Sequence, residues 1–212
     1  TRRSSDLVFY WLIFIPAGFA LNLAFGPNNL LAMTHSARGG IPFAQRASIG
    51  RLLVFVPMIA ASALGLGLLL MTSAVLFNIV KIIGAFYLIW LGIKLWRSAQ
   101  AVDFVKTSEA ETSPRDAFRA EALVAISNPK AVLIFAAFFP QFVATEAYWE
   151  SYLLLGVSFL VLESVAIFAY ACAGRFASRF AKKKMAWMQR GSGAMMCLFG
   201  ALLLLSPQPA RS

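Results

Sequence analysis

The 212-residue chain is 60% hydrophobic and 13% charged, with a mean hydropathy of +0.74, whereas a soluble domain is about half apolar and about a quarter charged. That balance excludes an ordinary soluble enzyme or binding domain. A net charge of +10 suggests nucleic acid at first, but the basic residues sit between apolar runs, so the lipid bilayer is the expected partner and nucleic acid is not.

Residues 7–37, 52–80 and 151–162 carry no Lys, Arg, Asp or Glu. About 20 such residues cross the hydrocarbon core as a helix. The first run is too long, and followed by too many others, to read as a cleaved signal peptide. Six spans are predicted, at 7–34, 48–70, 74–97, 119–142, 149–173 and 186–206.

The first span is interrupted by "FGPNNLLAM". Gly26 weakens a helix, and Pro27 removes a backbone donor. Asn28 and Asn29 then place amides where hydrocarbon is expected. Proline suits a first helical turn, so a half-helix should begin at Pro27. Its free N–H groups and positive dipole end favour an anionic group. His35, in "MTHSARGG", reads as exposed or capping in the first connection. The second and third spans form a tight hairpin with Thr72 or Ser73 as cap. Residues 98–118 form a long polar loop, in which Ser113-Pro114 is turn chemistry.

The fourth span repeats the theme in "SNPKAVLIF". Asn128 precedes Pro129, and an apolar helix resumes. Lys130 either meets a carboxylate or carries its amine to the interface. In the fifth span Glu163 lies about 14 residues past Trp149, roughly 20 Å down at 1.5 Å per residue. That is near the middle of a core about 30 Å thick, where a carboxylate is a functional candidate by default. Cys172 and Cys197 read as small buried residues rather than a disulfide. Trp11, Trp96, Trp149 and Trp187 fall near span ends, as an aromatic belt requires.

Pro27 and Pro129 open matching broken helices in two three-span halves, 7–97 and 119–206. The loop 98–118 joins them within one transmembrane domain, 1–212. Three is odd, so the second half runs inverted. Inverted repeats with broken helices at matching positions mark a transporter's binding site. The fold class is therefore an all-α integral membrane protein of six transmembrane helices in two inverted three-helix repeats.

Arg38, Arg46 and Arg51 flank the first connection. Lys94, Arg97, Lys106, Arg115 and Arg119 flank the third, and Arg175, Arg179, Lys182, Lys183, Lys184 and Arg190 the fifth. These are 14 of the 19 Lys and Arg residues. The positive-inside rule makes these connections cytoplasmic and puts both termini outside. Arg51 and Glu121 then open the second and fourth spans on the same side. They either meet at an inner mouth, as a gate, or snorkel separately.

"GPNNLLAM" resembles the Pro-Gly-Pro-Asn motif of the LysE/RhtB amino-acid exporters, with Phe25 in place of the first proline. "KIIGAFYLIWLGIKLWR" (81–97) resembles that family's third span, and "NPKAVLIFAAFFPQFV" (128–143) its Asn-Pro-Lys and Phe-Pro-Gln-Phe segment. Glu163 falls where members commonly carry an acid. Arg51 and Glu121 occupy positions that are usually uncharged in the family, and Ala125 one where asparagine is common. The resemblance implies a small inner-membrane exporter of amino acids and related metabolites, driven by the proton gradient.

The expected function is secondary export of a small zwitterion by proton antiport. Gly26, Pro27, Asn28, Asn29, Asn128, Pro129 and Lys130 would form the substrate site. The half-helix ends would take the carboxylate, and Glu163 would alternate between a proton and the ammonium. No glycine-rich phosphate loop is present. Catalytic residues, cofactors and a metal site are not expected. The alternatives are export of another small solute or a metal cation, an intramembrane enzyme, which lacks a constellation of nucleophile and base, or a scaffold. The sequence leaves a homo-oligomer open.

Overall fold

The computed structural model describes residues 2–72, 74–97, 113–176 and 182–205. Among these the chain is helical with short breaks and no strand. Helix α1 spans Arg2–Leu23, α2 Pro27–Thr72 and α3 Ala74–Arg97. Helix α4 spans Pro114–Ser127 and α5 Pro129–Leu133, with α6 at Tyr148–Arg175 and α7 at Lys182–Leu205. Ser73, Lys106 and most of the expected polar loop lie outside the described residues.

The first connection is not the loop that the charges suggested. Helix continues from 27 to 72, interrupted at Gly40, whose φ of 83° lies in the left-handed region. Only glycine enters that region without strain, and Pro42 suits the turn that restarts the helix. The segment Pro27–Gly65 has 39 residues and would be about 58 Å long if straight, nearly twice the hydrocarbon core. It is not straight. Gly40 stands eleven residues after Asn29 and eleven before Arg51, yet Arg51 hydrogen-bonds Asn29 at 3.2 Å. The arms 27–39 and 41–72 therefore fold back on each other.

Two further boundaries shift for local reasons. α4 begins at Pro114 rather than 119, because Ser113 is a helix cap and not a loop turn. Its Oγ accepts from the Asp116 N–H at 3.2 Å, and Pro114 occupies the first turn. After α5 the chain passes through a π-turn, Ile134–Phe138, into a 3-10 turn, Phe139–Phe142. The Phe139 N–H reaches back to the Ile134 carbonyl. Pro140 has no N–H to continue that register, and the Ser62 hydroxyl donates to the freed Phe135 carbonyl instead.

By length and composition, Pro27–Gly65 and Tyr148–Arg175 are long and apolar enough to cross a membrane. Pro114–Ser127 with Pro129–Phe142, bent by 50°, makes a third. Ile13–Leu23 and Gly193–Leu205 are shorter apolar helices. The outer surface agrees with a lipid setting. Leu53, Ile83, Phe86, Val161, Phe168 and Leu202 all point outward, far more apolar surface than a soluble monomer exposes. α3 packs closely on α7 where Gly92 and Gly193 face each other. A methyl group on either would come within 2.6 Å of the other's carbonyl oxygen, the small-residue contact that lets helices approach in lipid. Cys172 and Cys197 are free thiols.

Candidate functional site

The interior reverses the surface. Asn22, Asn28, Asn29, Arg51, Glu121, Asn128, Lys130 and Glu163 are all buried, where polar groups persist only if paired. The two breaks bring them together.

At the first break, Ala24–Gly26 leave the helix and α2 starts at Pro27. The end of α1 presents carbonyls that no helical N–H can reach. Asn29 Nδ2 donates to Asn22 O at 2.8 Å and to Ala24 O at 2.9 Å. Lys130 Nζ donates to Leu21 O at 3.2 Å and to Ala24 O at 2.9 Å. The Tyr170 hydroxyl takes Leu23 O at 2.5 Å. Lys130 thus meets neither a carboxylate nor the interface, as the sequence had offered. Its ammonium caps the negative end of α1, where the helix dipole favours a cation.

At the second break, Asn128 closes α4 and opens α5. Its Oδ1 accepts from the Lys130 N–H at 3.0 Å, with Pro129 in the first turn. Its Nδ2 donates to Asn28 Oδ1 at 2.7 Å. Two residues 100 positions apart thus join the two breaks directly.

Arg51 stands beside them with every donor used. Nε and Nη2 donate to Glu121 Oε2 at 3.0 and 2.8 Å. Nη1 donates to Glu163 Oε1 at 2.7 Å and to Asn29 Oδ1 at 3.2 Å, and the second Nη2 bond goes to the Asn28 carbonyl. A guanidinium has five N–H groups, and all five are engaged. Arg51 and Glu121 therefore do meet, and neither snorkels: both side chains have 0% exposure. Glu121 is held further by Ser48 Oγ at 3.3 Å and Asn28 Nδ2 at 3.5 Å. Glu163, expected alone at mid-membrane, is paired with Arg51. With its amide nitrogen turned toward the carboxylate, Asn22 donates to Glu163 Oε2 at 3.2 Å.

Gly26 lies against the Lys130 side chain, where an added methyl would stand 3.6 Å from Nζ. Pro27 and Pro129 shape the breaks and contribute no polar contact of their own. Asn22 and Ser48 were missed in the sequence. Asn22 had a signal, as the one polar residue of "FALNLAF", while Ser48 had none. His35 is buried at 3% exposure against Phe43, 5.9 Å between ring centres, rather than exposed. The tight fold at Gly40 encloses it.

One helical turn from the cluster, Phe55 and Phe159 stand on the same helices as Arg51 and Glu163. They meet Phe135 at 5.4 and 5.2 Å, and Phe139 closes the group at 5.1 Å from Phe135. These edge-on rings form a buried apolar layer next to the charges. An open apolar pocket of about 520 Å³ lies beside the first break, between α1, α6 and α7, lined by Leu23, Ala24, Tyr170 and Met195. Among the described residues no group of His, Cys, Asp and Glu could hold a metal ion.

The family model described as LysE type translocator matches residues 19–207. The homoserine/homoserine lactone efflux protein of Salmonella typhi is 32% identical over 197 residues, covering 92% of this chain and 95% of the relative. The protein of the same description from Salmonella typhimurium is equally similar over the same span. The leucine efflux protein of Enterobacter sp. is 28% identical over 193 residues, 90% of each chain. No solved structure matches the chain.

Proposed function

The chain belongs to the LysE type translocator family, a family of membrane transporters and not of enzymes, and from that premise we propose that it exports amino acids or closely related zwitterions across the bacterial inner membrane. The observation that carries the reading is the junction of the two breaks, where Asn128 donates to Asn28 and Arg51 gathers Glu121 and Glu163. Irregular backbone and charge at membrane depth are tolerated only where protein or a wet cavity encloses them.

The junction supports two inverted three-helix halves, 7–97 and 119–206, with six spans, and the gathering of 14 of the 19 Lys and Arg residues at the first, third and fifth connections supports both termini outside. A reporter active only outside the cell should work after residue 147 and at the C-terminus, and be silent near Lys106 and Lys183. Activity at Lys183 overturns this topology.

Glu163 is the proton-coupling group of the reading. It faces Arg51 from α2 and Asn22 from α1. Protonation from outside would release substrate, and deprotonation inside would admit the next. The test is export in proteoliposomes under an imposed pH gradient, beside metabolite profiling of overexpressing cells. Glu163→Gln keeps the size and the acceptor for Arg51 but cannot ionise. It should fold and lose gradient-driven export. Export at the wild-type rate with unchanged pH dependence would make the carboxylate structural.

A further inference from the structure

We propose that the Arg51–Glu163 ion pair is a place-holder for the substrate, and that a zwitterion binds by inserting between its two ends. Its carboxylate would take the Nη1 position on Arg51, and its ammonium would take Glu163 Oε1. The proposal rests on the amino-acid reading above and adds the two residues that select the charge pattern.

The two carboxylates around Arg51 are held differently. Glu121 receives two guanidinium bonds and further donors from Ser48 and Asn28. Glu163 receives one guanidinium bond, at 2.7 Å, and one amide. Opening the Glu163 contact leaves Arg51 neutralised by Glu121 and anchored on Asn28 and Asn29. Glu121 is thus the lasting counter-ion, and Glu163 the exchangeable one.

Exchange must avoid stranding charge. Separating a buried pair without replacement is costly, because each charge is left uncompensated. The four charged side chains gathered at the two breaks, Arg51, Lys130, Glu121 and Glu163, sum to zero when all are charged. Lys130 is committed to the carbonyls of α1, so it is not available to rescue Glu163. A zwitterion inserted between Arg51 and Glu163 returns one ionic hydrogen bond to each end and leaves the sum at zero. A ligand with an ammonium and no carboxylate leaves an Arg51 N–H unpaired and adds a positive charge. An acid without an ammonium strands Glu163. The half-helix starts are less suited to the carboxylate than the sequence implied, since at α5 the Lys130 N–H is already taken by Asn128.

Competition in wild-type proteoliposomes needs no variant. L-homoserine and L-leucine serve as probes, beside homoserine lactone and leucine methyl ester, which lack the carboxylate, and N-acetyl-leucine, which lacks the ammonium. Each derivative should compete about tenfold or more weakly than its parent, the loss of one charged hydrogen bond. A derivative that competes as well as its parent overturns the proposal at that end. Arg51→Lys keeps the charge but not the forked geometry. It should reduce homoserine counterflow about tenfold more than lactone counterflow. Equal losses would make Arg51 a scaffold and leave the amino-acid reading standing. If neither homoserine nor leucine is exchanged by the wild-type protein, the amino-acid reading fails and this one with it.

Discussion

The two breaks begin with the same chemistry, an asparagine beside a proline, and are finished in opposite ways. The second is local. Asn128 accepts from a backbone N–H two residues away, and Asn128 N and O bond Ala125 O and Val132 N. The first is assembled from a distance. Three residues leave the helix, and the exposed carbonyls are met by Lys130, by Tyr170 and by Asn29 from the next helix. A short break can cap itself, whereas a wide one must borrow donors from the tertiary fold. The first break is therefore fully satisfied only with the second half of the chain docked against it.

The strongest way to test that dependence is Arg51→Ala. It removes two anchors of the first break, at Asn28 and Asn29, and leaves two buried carboxylates unpaired. Destabilisation of about 3–5 kcal/mol is expected, read as a lower melting temperature in detergent. A near-normal melt would mean that the cluster is wet or already neutral.

Lys130→Met sharpens the contrast, since the residue belongs to one break and serves the other. We expect a loss of about 1–3 kcal/mol from unsatisfied carbonyls. Hydrogen exchange should rise mainly across 18–30 and little across 129–140. A rise confined to 129–140 would reverse the assignment.

Asn128→Ala should cost about 1 kcal/mol as a lost cap, plus its bond to Asn28. In a double-mutant cycle with Asn28→Ala, the two losses should fail to add by about 0.5 kcal/mol or more. Strict additivity would mean the breaks are independent. Ser113→Ala is the smallest effect. It removes an exposed cap of α4 at a cost of about 1 kcal/mol or less, and counterflow should be unchanged, because Ser113 stands at the end of α4 opposite to Asn128.

Both breaks were legible in the sequence because proline acts on its own neighbours, and Glu163 stood out as a lone charge. The Arg51–Glu121 contact was visible only as a pair of oddities, and the third member, Glu163, was not tied to them. That pairing depends on the backbone reversing at one glycine, and "ARGG" gives no reason to expect a left-handed residue inside a helix. The acceptors of Lys130 were illegible for a different reason. They are main-chain carbonyls, which every residue carries, so no side-chain pattern announces them. His35 was misjudged because a neighbouring arginine made a buried helix end look like a loop. Pro140 was a readable sign of irregular helix, but which carbonyl it frees depends on a register set by contacts across the bundle.

The reversal at Gly40 makes spacing itself heritable information in this segment. Asn29 and Arg51 meet because they stand at equal distances along the chain from the reversal. One extra codon between either residue and Gly40 would turn everything beyond it by about 100° and advance it about 1.5 Å, carrying the guanidinium away from its four acceptor atoms. Gln45 and Arg46, on the outward side, can be exchanged for other letters at little cost. The number of letters between Asn29 and Arg51 cannot change, so substitutions should accumulate there over descent while insertions and deletions are purged.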